Sequence, residues 1–198
     1  MNPLAHHFVT MAYNNGWSNY RLFKACLQLS QADFVAARTS FFPSIKATLN
    51  HNLTVDWYYV DALERSLQGR EVNPNPSAFY EPEEPYDRCA DLWHEQRLVD
   101  DRLIAACKAL PEDMKLGIRI PRRAGLVTEA IPRFLAHLFQ HQIHHRGQVH
   151  AMLAGTAVPP PQLDEFFCRG DGKTGDYALR QPDFVALGWS EEEIWGQA

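Results

Sequence analysis

Apolar positions recur at helical spacing in four long segments. In the first, from about Phe8 to Leu29, one face carries Phe8, Met11, Ala12, Leu22, Phe23 and Leu27. Asn14-Asn15-Gly16 interrupts it: asparagine competes for backbone hydrogen bonds, and glycine costs about 1 kcal/mol against alanine. The second begins after Ser40 and Pro43 and runs through Ile45, Leu49, Leu53, Trp57, Val60 and Leu63 to a stop at Gly69. The third spans roughly Tyr86 to Leu110, with Trp93, Gln96, Val99, Leu103, Ala106 and Leu110 on one stripe. The fourth opens near Thr128, a good N-cap residue, accepts Pro132 in its early turns, and ends before Gly155.

Elsewhere the period changes. Met114, Leu116, Ile118 and Ile120 alternate with Lys115, Gly117 and Arg119, the pattern of a short strand, and Pro121-Arg-Arg-Ala-Gly125 reads as the turn of a hairpin. The proline-rich acidic stretch from Asn73 to Pro85 predicts an extended surface loop. Ser190-Glu-Glu-Glu-Ile predicts a short capped helix in a tail whose aromatics, Phe166, Phe167, Tyr177, Phe184, Trp189 and Trp195, should pack on the body. The expected fold is all-α: an up-and-down four-helix bundle with a small β-hairpin before the fourth long helix. We expect one domain over residues 1–198, with a core at about 8–165 and a packed tail at 166–198.

Composition is that of an ordinary globular protein, 45% hydrophobic and 22% charged. A net charge of −5 and a pI near 6.0 argue against nucleic acid as a partner. The basic run Arg119-Ile-Pro-Arg122-Arg123 is too short to reverse that and reads as a solvated turn. Cys26, Cys89, Cys107 and Cys168 are widely spaced, form no CxxC pair and are expected to be buried thiols. No secretory pattern opens the chain, and no apolar run approaches the roughly 18 residues of a membrane span. A cytoplasmic location without membrane partners is the expectation.

The chemistry concentrates in one segment. Five of the nine histidines (His137, His141, His144, His145 and His150) lie within fourteen residues. His141 and His145, at i,i+4, share a helix face and can grip one divalent ion, although His137 and His144 leave other pairings open. A chance cluster on a solvated helix is the plain alternative. Metal sites in helix bundles draw ligands from facing helices, which makes His51, between core leucines of the second helix, the natural third member. His94 competes, but Asp91 and Glu95 beside it suggest a solvated face, and His6 and His7 read as terminal surface residues. Three histidines would leave a coordination position open, as in catalytic sites. Such an ion can activate water, polarise a carbonyl or bind a thiolate; imidazole also suits nickel, iron and copper.

Three stretches resemble the DinB-like, damage-inducible family: Ala12-Tyr13-Asn14-Asn15-Gly16-Trp17-Ser18-Asn19-Tyr20-Arg21-Leu22, the segment from Ser44 through His51 and Asp56 to Tyr58, and His141-Gln-Ile-His144-His145-Arg146-Gly147-Gln148. The last is close to the family's HQxHHRGQ pattern; the first departs from the usual pattern at Gly16 and Ser18. The resemblance implies a four-helix bundle, commonly a homodimer, with a divalent metal on His51, His141 and His145, while His144 faces elsewhere. Relatives include thiol-dependent S-transferases and isomerases and proteins described as metal-dependent hydrolases. The implied function is that of a metal-binding protein acting on a small-molecule substrate as a metal-dependent enzyme of the S-transferase type. Zinc or nickel is the expected ion, and a low-molecular-weight thiol the expected co-substrate. A hydrolase, or a non-catalytic stress-response metal-binding and dimerisation module, is the alternative.

Other marked residues carry two readings each. Asp56 lies about 140° around the helix from His51, so an interhelical hydrogen bond is favoured over a role in orienting that ring. Arg146 suits a substrate carboxylate or an interhelical salt bridge. Gly147 is expected to allow close helix approach. Tyr13, Asn14 and Trp17 suit a pocket mouth, with core packing the safer reading for Trp17.

Overall fold

A computed structural model describes residues 2–122, 124–168 and 177–196. Arg123 and the side chain of Tyr177, both part of the expectations above, lie outside the described residues. The chain is mostly helical with one small hairpin. In order it forms α1 (Pro3–Cys26), α2 (Gln31–Val35), α3 (Ile45–Leu67), a 3-10 turn at Pro76–Tyr80 and α4 (Cys89–Lys108). There follow β1 (Gly117–Arg122), β2 (Gly125–Ala130), α5 (Ile131–Leu153), α6 (Tyr177–Leu187) and α7 (Glu191–Trp195). The four long helices pack side by side, α1 against α4 and α5, and α3 against the same two.

Local chemistry sets the ends of these elements. The Asn2 side chain accepts from Leu4 N at 2.8 Å and Pro3 occupies the first turn, so α1 begins five residues before the expected start. His6 and His7 therefore belong to a helix instead of a loose terminus, and His6 Nε2 lies 3.3 Å from the Ile194 carbonyl. Ser44 caps α3 through Ala47 N, and Gly69 follows its end with φ of 63°, the left-handed conformation that glycine supplies at helix stops. Asn14-Asn15-Gly16 does not break α1. Asn15 is buried among polar partners, and an added Cβ on Gly16 would lie 3.0 Å from the Trp189 ring, so tertiary packing overrides the low propensity.

The hairpin is antiparallel, Gly117 pairing with Ala130 and Arg122 with Gly125. Ile118 and Ile120 point into the core, as the alternation predicts. Its turn is tighter than expected: Pro121 and Arg122 belong to β1 and Gly125 to β2. Thr128 is likewise taken by the sheet, opposite Arg119, and does not cap α5, which starts at Ile131 with Pro132 in its first turn. Tyr58 donates to the Pro121 carbonyl at 2.6 Å, tying the hairpin to α3. The loop before α4 is not fully extended: its 3-10 turn brings Phe79 and Tyr80 to 6.5 and 5.7 Å from the Tyr58 ring.

Described residues of the tail contact the body at several points. Trp17 Nε1 donates to Asp183 at 3.1 Å, Trp189 stands edge-on to Tyr13 at 4.9 Å, and Ser190 caps α7. Tyr13 and Trp17 are core residues, and Cys26, Cys89 and Cys107 are buried; Cys168 is exposed, against expectation, because it follows the end of the packed body.

A buried polar network joins the four long helices. Asp100 on α4 accepts from Asn15 and Asn19 of α1 at 3.0–3.1 Å and from Gln96 at 3.2 Å. Gln96 also donates to Asp56 of α3 at 2.7 Å, and Gln142 of α5 donates to Asp56 at 2.6 Å. Arg146 of α5 donates to the amide oxygens of Asn15 and Asn19. Burial pushes both carboxyls well above the usual carboxylate range, with the Asp100 charge adding to the shift of Asp56 and Asp101 to that of Asp100, and desolvation lowers Arg146 to about 10. Arg146 is thus committed to an interhelical network rather than to a substrate, and Asp56 plays the interhelical role expected of it. Asp100→Ala strips three amides of their acceptor and should lower unfolding free energy by about 3–5 kcal/mol, measured by urea denaturation, with Asp100→Asn costing clearly less. Equal losses in the two variants would mean that an amide oxygen cannot stand in for the carboxylate and that shape alone contributes nothing to the network.

Candidate metal centre

Helix α3 presents His51 half a turn away from its leucine stripe, toward α5. Helix α5 presents His137, His141 and His145 on successive turns of one face. The structure brings His51, His141 and His145 together, each offering a ring nitrogen within 4.8 Å of the others. Ring centroids lie 5.0 Å apart for His51–His141, 4.8 Å for His51–His145 and 4.5 Å for His141–His145. Among the described residues no cysteine, aspartate or glutamate joins this group.

The donor set fits a divalent cation. His51 and His141 face each other through Nε2 atoms 3.0 Å apart. On a tetrahedral ion with bonds of about 2.0–2.1 Å, nitrogens sit about 3.3 Å apart, so a small relaxation would seat both. The third ring is aimed by a neighbour. Gln148 Oε1 can only accept, so at 2.8 Å from His145 Nδ1 it marks that nitrogen as the N–H and leaves Nε2 as the lone-pair donor. The same amide turns its Nε2 to His144 at 3.1 Å. His144 is exposed and supports the site through Gln148, in keeping with the role expected of it. The clue to Gln148 in the sequence is its i+3 spacing from His145, which puts the two on one face.

The rings are held neutral. Burial, with the His145 charge second, lowers His51 to about 4. Burial and the surrounding imidazoles lower His141 to about 3, and burial lowers His145 as well. Phe42, in the segment after α2, walls the triad on one side, its ring 4.4 Å from His51 and 5.4 Å from His145. On the other side His137 stacks on Tyr59 at 5.6 Å and lies 6.3 Å from His141.

The remaining candidates fall away from the triad. His94 is exposed, as expected, and His150 bonds the Pro161 carbonyl at 3.0 Å. Asn14 and Gly147 line a separate groove between α1 and α5 with Met11, Ile143 and Phe167. Gly147 faces open space with nothing within 4 Å of an added Cβ, so it does not serve close helix approach.

Two outcomes follow from this geometry. Gln148→Leu frees His145 to rotate and should weaken zinc affinity by about 10- to 100-fold in a competition assay while leaving the circular dichroism unchanged. Because protons compete with metal only once pH falls through a ligand's pKa, affinity should stay flat from neutral pH down past about 6.5, where ordinary imidazoles charge, and fall toward pH 4. A loss beginning near pH 6.5 in metal titrations would show that burial does not protect these rings.

No helix among the described residues is long and apolar enough to cross a membrane. No curated protein matches the chain. The family model of the DinB family matches residues 1–171, which takes in the two helices that carry the histidine triad, and the chain belongs to that family.

Proposed function

We propose that this chain is a divalent-metal-dependent enzyme of the thiol-dependent S-transferase type, with His51, His141 and His145 as the ligands and zinc or nickel as the ion. The side-by-side packing of α1, α3, α4 and α5 supports an up-and-down four-helix bundle as its frame. The observation that carries the reading is the convergence of three neutral imidazoles with no fourth protein ligand beside them among the described residues. A closed structural site would call for a fourth side chain; three ligands leave room for a substrate atom.

An ion held by His51, His141 and His145 would lower the pKa of a bound thiol and so supply a nucleophile at neutral pH. The chain's own groups set the conditions for it. Gln148 fixes the tautomer of His145, Phe42 shields the His51 and His145 rings, and the half-buried His51 and His141 leave one flank reachable. None of the three buried cysteines is near the triad, so the thiol would come from a small molecule.

Metal analysis of protein purified without an affinity tag tests the ligand set. Wild type should hold one ion per chain, and His51→Ala or His145→Ala should weaken binding by more than the hundredfold that outer-shell partners reach. Stoichiometric metal in either variant would overturn the triad. For the thiol, the cobalt(II)-loaded protein should gain a thiolate-to-metal charge-transfer band on adding 2-mercaptoethanol. Turnover of an electrophile that persists without any thiol would instead favour the hydrolase.

A further inference from the structure

Beside the triad, toward the hairpin, lies a cleft of about 370 Å³. Its walls carry Arg122 from β1, Arg133, His137 and Gln140 from α5, and Tyr59 from α3. On α5 the positions 133, 137, 141 and 145 are each four apart, so Arg133, His137 and the two histidines of the triad lie along one face. At about 1.5 Å per residue, His137 is about 6 Å and Arg133 about 12 Å along the axis from His141. The cleft thus begins one helical turn from the triad, at the His137 ring 6.3 Å from His141.

Charge in the cleft is arranged unequally. Glu129, at the end of β2, is its carboxylate and pairs with Arg133 in the first turn of α5 at 3.5 Å. Arg122 lines the same cleft beside the buried Tyr59, a neutral neighbour. Tyr59 is itself stacked flat on His137, with 5° between the planes, and on Phe134 at 4.6 Å. The register Arg122↔Gly125 holds Arg122 at the strand end over this aromatic floor. An exposed arginine beside a charge-neutral acceptor retains its capacity for a bidentate contact with a planar oxyanion.

We propose that this cleft is a carboxylate subsite: it receives the anionic end of the same small molecule whose other end takes the open position on the metal. Arg122 is the main anchor and Arg133 the second. The substrate class is an extended acid with a metal-seeking group and a carboxylate separated by about 8–12 Å, the span of the α5 face. This rests on the reading of the triad as an open metal site, but not on the thiol chemistry proposed for it.

Calorimetric titration of the zinc-loaded protein with the monohydroxamate of suberic acid, against the methyl ester of the same compound, tests it. Both probes carry the same metal-binding hydroxamate, and only the first carries a remote carboxylate. The acid should bind about tenfold or more tighter than the ester. In Arg122→Gln the ratio should fall to within about twofold, and in Arg133→Gln it should fall part of the way, with zinc content unchanged in both. Equal binding of acid and ester by the wild type overturns the subsite while leaving the open metal site standing, and this comparison needs no variant to fold. A preference for the acid that survives both substitutions also overturns it. Failure to bind either probe overturns the subsite and the open-site reading together.

Discussion

Asp56, Asp100 and Arg146 sit where four helices meet, bonded by the amide side chains of Asn15, Asn19, Gln96 and Gln142. Burying two acids and one base is costly unless each is engaged, and here all the engagements but the Gln96–Asp100 bond within α4 cross from one helix to another. The helices cannot slide or rotate past each other without leaving a charge unpaired in the core. A purely apolar interface would tolerate such slippage far better, because hydrophobic contact is not directional. The network thereby fixes register as well as association.

That constraint reaches the histidines through adjacent residues. Gln142 follows His141 and Arg146 follows His145, so the side chains locked into the network and those aimed at the groove alternate on α5. On α3, Asp56 is anchored inward one and a half turns beyond His51. The two helices that carry the triad are therefore each pinned from behind, and the rings meet because their backbones have no freedom to part. Positional accuracy of this kind is what a metal site needs, since ligand bonds tolerate errors of only about 0.2 Å. The hairpin is anchored to the same α3 by Tyr58 and by the Ser66 hydroxyl, which accepts from Arg119 N at 3.0 Å.

The sequence made much of this legible where the signal was periodic. The four long helices, the strand with Ile118 and Ile120 inward, the capped final helix and the pairing of His141 with His145 follow from spacing, whereas adding His51 to that pair takes the rule that bundle sites draw on facing helices and the family resemblance. What it hid depends on partners distant in the chain. Asn15, Asn19, Gln96 and Gln142 look like helix-weakening or solvated amides until Asp56 and Asp100 are placed beside them. Arg122 looks like part of a solvated turn because nothing local shows that β1 runs through it and sets it over Tyr59. Thr128 reads as a cap for the same reason, since strand pairing outcompetes it at long range.

The tail offers a different lesson. The family match ends at residue 171, and the segment beyond it lays Trp189 against Gly16 of α1. Alanine at 16 would already force the indole edge to give by a few tenths of an ångström, and anything larger would lift it off Tyr13. The missing side chain on α1 and the added ring on the tail are two halves of one fitting. Grafting this tail onto another four-helix frame would accordingly require carrying the glycine with it, so that one small residue on the first helix belongs to the tail's own fit.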